Sequence, residues 1–350
     1  MPWSYFIKRI FLALLTFIAI YVIVYLLIAS FSPDPFSATL ESGKKSDGSQ
    51  AAKLAELHAR YFFDKSPIVR LGIYTANMFK GDFGPIYKTG ETNAIPNLFF
   101  SPLRYTILVS LPSFILSSII GVTLGIVAAY RRDRLEDAAI SGFSTFFVAI
   151  PSFVLAPFIV FIAIKLGLPF EFKDPATYGA AVTATSLIPP IFVFTITSIP
   201  GYVFLVRNQV ITVLSSDYVL IAKSKGLSAV AIFFKYVFRN SSIPLVRVLL
   251  FSYVGLLSGS IILEQFFRIP GSSSILVGAA FDGEINISMF SIIFFTSLAL
   301  IVNILGDMTY VVMDPRITFG AQSQTNYLAK FKHWRSRKLK EKKTNDTSRI

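Results

Sequence analysis

Six stretches of the chain run for the length of a bilayer crossing with almost no charge. They are Ile10–Phe31, Tyr105–Tyr130, Ala138–Ile164, Ala184–Val206, Ile243–Leu263 and Met289–Met313. A membrane-crossing helix needs about 20 predominantly apolar residues, so each stretch is read as a span. Prolines make several of them irregular: Pro112 in the second, Pro151 and Pro157 in the third, Pro189, Pro190 and Pro200 in the fourth. Such prolines kink a membrane helix, and neighbouring groups must satisfy the freed carbonyls. Gly121 and Gly125 form a pair of small residues four apart, which lets another helix come close in lipid.

Between the first two spans lies the polar segment Ser32–Arg104. Ala51–Phe63 has helical periodicity there, while Gly81-Asp82-Phe83-Gly84-Pro85 and Thr89-Gly90 read as turns. The segment is expected to form a small cap packed on the membrane domain.

Charge sets the orientation. Lys8 and Arg9 precede the first span, and Arg131, Arg132 and Arg134 follow the second. Concentrated Lys and Arg mark cytoplasmic flanks. Both termini are therefore placed inside, and Ser32–Arg104, Lys165–Thr183 and Glu264–Ser288 outside. The first span is long for a signal peptide, so it is expected to stay attached. Arg207 is taken to close the fourth span on the inner side. Arg247, near the inner end of the fifth, is expected to snorkel.

One cytoplasmic stretch, Ser215–Pro244, carries helix punctuation. Ser215, Ser216 and Asp217 are N-cap candidates. Tyr218–Lys225 is a short helix with Lys223 and Lys225 in its last turn, where cations suit the dipole. Gly226 fits the left-handed C′ position. Ser228 can cap a second helix, Ala229–Arg239, and Pro244 opens the next hydrophobic run. Spacing alone leaves two readings open, a hinged contact device and an ordinary amphipathic loop.

The composition agrees with a membrane protein. Of 350 residues 53% are hydrophobic and 15% charged, against about 25% charged in soluble domains. The absence of Cys excludes disulfides and thiolate metal sites. The two histidines, His58 and His333, fall in different compartments, which argues against a histidine metal site. No bound metal is expected. The net charge is +13, and most of it sits after Arg316, in a tail expected to be disordered. A cytoplasmic tail beside anionic lipid explains it better than nucleic-acid binding.

No catalytic set emerges. Gly43-Lys44 lacks the upstream glycine of a phosphate loop, and neither Gly-x-Ser-x-Gly nor His-Glu-x-x-His occurs. In the sixth span Asn303, Asp307, Tyr310 and Asp314 recur at helical spacing and share a face. They suit a pathway or gate, or a polar contact near the inner interface with Arg316 or Arg207 as partner. Glu264, at the outer end of the fifth span, suits a pathway mouth or a loop cap through Arg268.

Taken in order, several motifs resemble a known family. They are Gly81-Asp82-Phe83-Gly84, Thr89-Gly90, Thr106 through Ala129, Asp217-Tyr218-Val219, Ala222, Lys225-Gly226-Leu227, Arg239-Asn240 and Pro244. Glu264, Phe267 and Pro270-Gly271 follow, then Asn303, Asp307, Tyr310 and Asp314-Pro315-Arg316. They resemble the inner-membrane permease subunit of peptide-type ABC importers, the group that serves oligopeptides, dipeptides or nickel. The chain departs from the general importer pattern at Leu220-Ile221-Ala222, where Glu-Ala-Ala is usual. It departs from its own group at Ser273, where a second Gly is usual, and at Asp282-Gly283-Glu284.

The resemblance implies an all-α, polytopic type I ABC importer permease fold with six transmembrane helices. It divides the chain into a first span (1–31), an extracellular segment (32–104), a permease core (105–316) with a cytoplasmic coupling loop (207–242), and a basic tail (317–350). It implies ATPase coupling through Asp217, Tyr218, Ala222, Lys223, Lys225, Gly226 and Leu227. Pathway or gate roles fall to Glu264, Asn303 and Asp307, and inner-end structural roles to Asp314, Pro315 and Arg316. The implied partners are a second homologous permease, two ATPase subunits that use ATP and Mg, and an extracellular substrate-binding protein. No cofactor is expected on this chain itself. A stand-alone secondary transporter or channel is the alternative.

Overall fold

A computed structural model describes residues 3–36, 48–259 and 261–313. The chain folds as a helical bundle, and among the described residues five helices are long and apolar enough to cross a membrane. A bent pair makes a sixth crossing if its halves are counted together.

The first helix, α1, spans Trp3–Phe31. The polar segment contributes α2 (Gly48–Arg60) and α3 (Pro67–Met78). The second crossing, α4, runs over Ile95–Tyr130, well before the expected start at Tyr105, with Pro102 inside it. The third is broken into α5 (Leu135–Ala149) and α6 (Ser152–Lys165), bent by 104°. The cause is local. A residue before proline is pushed out of the helical region, and Ile150 before Pro151 is extended, with φ −95° and ψ 116°. Pro157, by contrast, is accommodated within α6.

Two short helices, α7 (Pro175–Tyr178) and α8 (Ala180–Ser186), lead into α9 (Ile188–Leu214). Arg207 therefore does not end the fourth crossing; the helix continues to Leu214. The expected coupling loop holds α10 (Asp217–Ser224) and α11 (Ala229–Ile232). The second of these is not a separate helix ending at Arg239. It passes through a π turn, Phe233–Phe238, into α12 (Arg239–Gly259), with Pro244 inside that helix. On the outer side α13 (Ile261–Phe266) straddles the expected end of the fifth span at Leu263, and α14 (Ser272–Phe281) occupies what the sequence suggests is loop. The last crossing is α15, Ile285–Met313.

The tightest helix pair is α4 against α9, and small residues make it so. A Cβ on Gly121 would lie 2.6 Å from Tyr202 Cβ, and one on Gly125 would lie 2.7 Å from Val206 Cβ. Ser113 and Ser117 continue the same small-residue stripe, fully buried, and donate back to the Val109 and Ser113 carbonyls. In lipid such stripes let backbones approach and gain dispersion contacts.

The polar segment does pack on the bundle. Phe36, Tyr61, Phe63 and Tyr87 form a ring cluster with centroids 5.1–5.7 Å apart. Tyr74 of α3 lies against Tyr21 and Tyr25 of α1 and Met289 of α15. The expected turn at Gly81–Pro85 forms, with the Gly84 amide donating to Asp82 Oδ1 at 2.8 Å. It sets Phe83 edge-on to Phe290.

Candidate functional site

The short helix α10, where the sequence places the ATPase coupling, is rigidly punctuated. Gly226 has φ +74°. Its amide donates to the Lys223 carbonyl at 3.0 Å, and the Leu227 amide donates to the Ala222 carbonyl at 3.3 Å. This pair of bonds around a left-handed C′ residue is the Schellman arrangement. Asp217 opens the helix, where a carboxylate suits the dipole. Ser216 precedes it but does not cap it; its hydroxyl turns back to the Val213 carbonyl. Ser228 does cap, accepting from the Ala231 amide at 3.3 Å.

Burial divides the expected coupling residues into two groups. Ala222 is only 2% exposed and, with Val219 at 0%, packs into a cluster of Val206, Val210, Val213, Ile232 and Val237. Ala222 therefore anchors the helix to α9 and the π turn. Asp217, Tyr218, Lys223, Lys225, Gly226 and Leu227 are exposed. So are Leu220 and Ile221, at 52% and 55%. These two are the residues that spacing missed, and the signal for them was available. In a helix anchored at Val219 and Ala222, neighbouring positions 220 and 221 turn away. Apolar side chains there make an unusual exposed patch beside two lysines.

At the inner end Asp307 is buried, 8% exposed. Its oxygens meet Arg9 of α1 at 2.9 Å and Arg247 of α12 at 3.2 Å. The partners are therefore not Arg207, and Arg316 lies outside the described residues. Arg247 also donates to Asn303 Oδ1 at 2.9 Å, so it bridges within the bundle instead of snorkelling. The expected shared face of Asn303 and Asp307 is real, since one guanidinium touches both. Gly306 makes this possible: a Cβ there would lie 2.7 Å from Arg247 Cγ. The side chain of Tyr310 and all of Asp314, Pro315 and Arg316 lie outside the described residues. Arg207 belongs to another pair, donating from Nε and Nη2 to both oxygens of Asp137 at 2.7 Å.

At the outer end Glu264 is 1% exposed. Its Oε1 accepts from the Thr106 hydroxyl at 2.8 Å, and its Oε2 accepts from the Ser273 amide at 3.1 Å. The Ser272 amide donates to Thr106 Oγ1 at 3.0 Å. The carboxylate thus ties α4 to the start of α14. A Cβ on Gly271 would collide with it, so glycine is needed there for space; its φ of −88° is ordinary. Arg268 does not pair with Glu264. It adopts φ +52° and meets Glu171 at 3.1 Å.

A second outer carboxylate holds the cap. Glu284 accepts from the Tyr87 amide at 2.9 Å and the Lys88 amide at 2.8 Å. Burial raises its pKa, and the two amides counter part of that rise. Asn286 adds a bond to the Pro85 carbonyl at 2.9 Å. Gly283, with φ +71°, lies against the Pro33 carbonyl. Among the described residues no group of three or more His, Asp or Glu side chains is placed to hold a metal ion.

A short capped helix on the inner side, a close-packed crossing pair and acid-tied outer turns are thus the three features the fold assembles. A profile for the inner-membrane component of binding-protein-dependent transport systems matches residues 121–319. The chain belongs to that family. It is the permease subunit of an ABC importer and a multi-pass membrane protein. Relatives extend over nearly the whole permease. The oligopeptide transport system permease protein OppB of Mycoplasma genitalium is 33% identical over 96% of this chain and 82% of its own length. OppB of Haemophilus influenzae is 30% identical over 76% of this chain and 85% of its own length. Among solved structures, a chain of the MetNI methionine ABC transporter is 14% identical. It covers 64% of this permease and all of its own length at a TM-score of 0.50, which indicates a shared fold. As an ABC-importer permease, the chain works with ATPase and substrate-binding partners.

Proposed function

We propose that this permease carries peptides, and that ATP-driven motion enters it through Asp217–Leu227. The observation that carries the coupling reading is the two-faced α10. Val219 and Ala222 fix one side to the bundle, while Leu220, Ile221 and Tyr218 stand exposed on the other. A helix held at one face and stopped at Gly226 moves as a unit when its free face is pulled. The peptide reading is supported by the names of the relatives, OppB in each case reported above.

In this reading the chain forms half of a translocation pathway beside a second, homologous permease. Two ATPase subunits below bind and hydrolyse ATP with Mg, and this chain binds no cofactor itself. A substrate-binding protein docks outside. Exposed Leu220 and Ile221 seat in an apolar groove of one ATPase, with Lys223 and Lys225 at its rim. ATP can drive the pathway only by favouring one state through differential contacts, and α10 supplies them. Glu264, Asn303 and Asp307 serve as fixed points about which the halves of the bundle move.

The test is peptide uptake and ATP hydrolysis by the assembled complex in proteoliposomes. Gly226→Pro removes the amide bonded to Lys223 and requires a φ near −65° where the chain has +74°. Leu220→Asp with Ile221→Asp spoils the free face alone. Both variants are expected to lose at least about tenfold in uptake per ATP hydrolysed, equivalent to about 1.4 kcal/mol of coupling. Normal uptake by either variant in a fully assembled complex overturns the coupling assignment. Uptake by this chain alone, driven by an ion gradient, would show a secondary transporter instead.

A further inference from the structure

The outer cap forms a half-open cavity of about 280 Å³ between α1, α2, α3, the Pro85–Thr92 turns and the start of α15. Its wall includes two arginines, Arg60 and Arg70, and no acid. Arg70 is 8% exposed, and its Nη2 has no hydrogen-bond partner. Tyr74, 5% exposed, also lines the cavity with its hydroxyl unpartnered. Asn77 and Asn286 add polar groups, and Tyr25, Tyr61 and Tyr87 add ring surface.

A buried guanidinium is costly unless it is paired. Two contacts soften the cost here. The Phe63 ring lies 3.8 Å from Arg70 Cζ, and the Tyr87 hydroxyl is hydrogen-bonded to Arg70, which leaves Nη2 as its unpartnered nitrogen. A ring face and a phenol attract a cation but do not neutralise it. Glu284, the acid beside Tyr87, is engaged by the Tyr87 and Lys88 amides. Among the described residues no carboxylate forms an ion pair with Arg70. The site therefore has a fixed positive charge, spare donors, ring walls and room for a small molecule. That combination suits an anion with flat donor-matching geometry on an apolar body.

We propose that this cavity binds a carboxylate borne on an aromatic or aliphatic group, with Arg70 as its counter-charge and the Tyr74 hydroxyl as a second donor. Two sources share that chemistry, a free organic acid and the C-terminus of a short peptide. The second source rests on the peptide reading above; the first does not. The site lies in the cap, apart from the close-packed α4–α9 pair of the bundle.

The experiment is equilibrium binding to the full chain in lipid nanodiscs, read by calorimetry. The probes are phenylacetate, a Phe-terminated tripeptide with a free C-terminus, and the same tripeptide amidated. Saturable binding of phenylacetate alone assigns the site to free acids. Binding of the free peptide but not its amide assigns it to peptide C-termini. Arg70→Gln should weaken either ligand at least about tenfold and should leave the ligand-free melting temperature equal or higher. Tyr74→Phe, which removes a hydroxyl the protein does not use, should weaken binding about threefold to tenfold with no change in melting. Failure of both acids to bind overturns the proposal, as does undiminished binding to Arg70→Gln. Either failure leaves the uptake and coupling experiment untouched. A lower melting temperature for ligand-free Arg70→Gln, with no binding by wild type, would show that Arg70 only packs the cap.

Discussion

The two ends of the bundle hold their buried acids in different ways. At the inner end Asp137 and Asp307 meet guanidinium groups from other helices, Arg207 in one case and Arg9 with Arg247 in the other. At the outer end Glu264 and Glu284 accept from backbone amides, with a threonine hydroxyl added for Glu264. The difference follows from what each end has to offer. The cytoplasmic flanks are rich in arginine because orientation requires it, so an acid there has long cationic arms within reach. The outer ends are turns with free amides, such as Tyr87–Lys88 and Ser272–Ser273. An inner pair is therefore mainly charge against charge, although Asp137 also accepts from the Asp133 amide at 3.1 Å and the Ser141 hydroxyl at 3.2 Å, and breaking the pair leaves a buried ion. An outer tie is an acid serving orphan amides, and breaking it leaves polar groups unsatisfied.

The largest effect should come from Arg207→Met. Both Arg207 donors sit 2.7 Å from Asp137, which is itself only 4% exposed. Removing one partner of a buried pair costs about 3–5 kcal/mol, whereas replacing both by apolar groups is often nearly neutral. Thermal unfolding in nanodiscs should show a large loss for Arg207→Met and recovery of most of it in Arg207→Met with Asp137→Leu. Equal damage in the single and double variants would mean that the pair is not held as a buried ion, and the contrast between the ends would fall.

Glu284→Ala should cost less, about 1–3 kcal/mol, the range for stranding buried donors. The loss should also be local. Amide exchange should quicken around Tyr87 and Lys88 while α9 and α10 keep their protection. Spread of the change to the inner end would show that the cap and the bundle open together.

The inner end was also the more legible in the sequence, for the same physical reason. Ser228, Gly226 and the lysines of α10 act on their immediate neighbours, so their spacing predicts the helix and its stop. Gly121 and Gly125 announce a close approach four residues apart, and it occurs. Partners far apart in the chain leave no such mark. Nothing near Asp307 names Arg9, and the sequence suggested Arg207 or Arg316 instead. On the outer side Ser272–Phe281 begins with three serines after Pro-Gly, which reads as a turn; Thr106 and Glu264, brought in by the fold, make it a helix start. One missed element did carry a local signal. Ser66-Pro67 places a proline at the first helical position after a serine, and α3 begins there, although the Ser66 side chain makes no cap bond.

The smallest effect tests the contrast where charge plays the least part. Each end has a helix stopped by a left-handed residue with the same bond pattern. At the inner end it is Gly226, with φ +74°. At the outer end it is Arg268, with φ +52°, after which the Ile269 amide donates to the Glu264 carbonyl at 2.8 Å. A side chain in this region costs about 1–2 kcal/mol. No atom lies within 4 Å of a Cβ at Gly226, so Gly226→Ala should show that conformational cost alone, about 1 kcal/mol. Arg268→Gly should relieve the same strain but loses the exposed contact with Glu171, a weak surface ion pair, and adds glycine's entropy cost of about 0.5–1 kcal/mol. Its net change should lie within about 0.5 kcal/mol of wild type. Melting temperatures of the two variants decide the matter. A loss of more than about 1 kcal/mol for Arg268→Gly would mean that the Glu171 contact behaves as a buried pair. The outer end would then rely on charge as the inner end does.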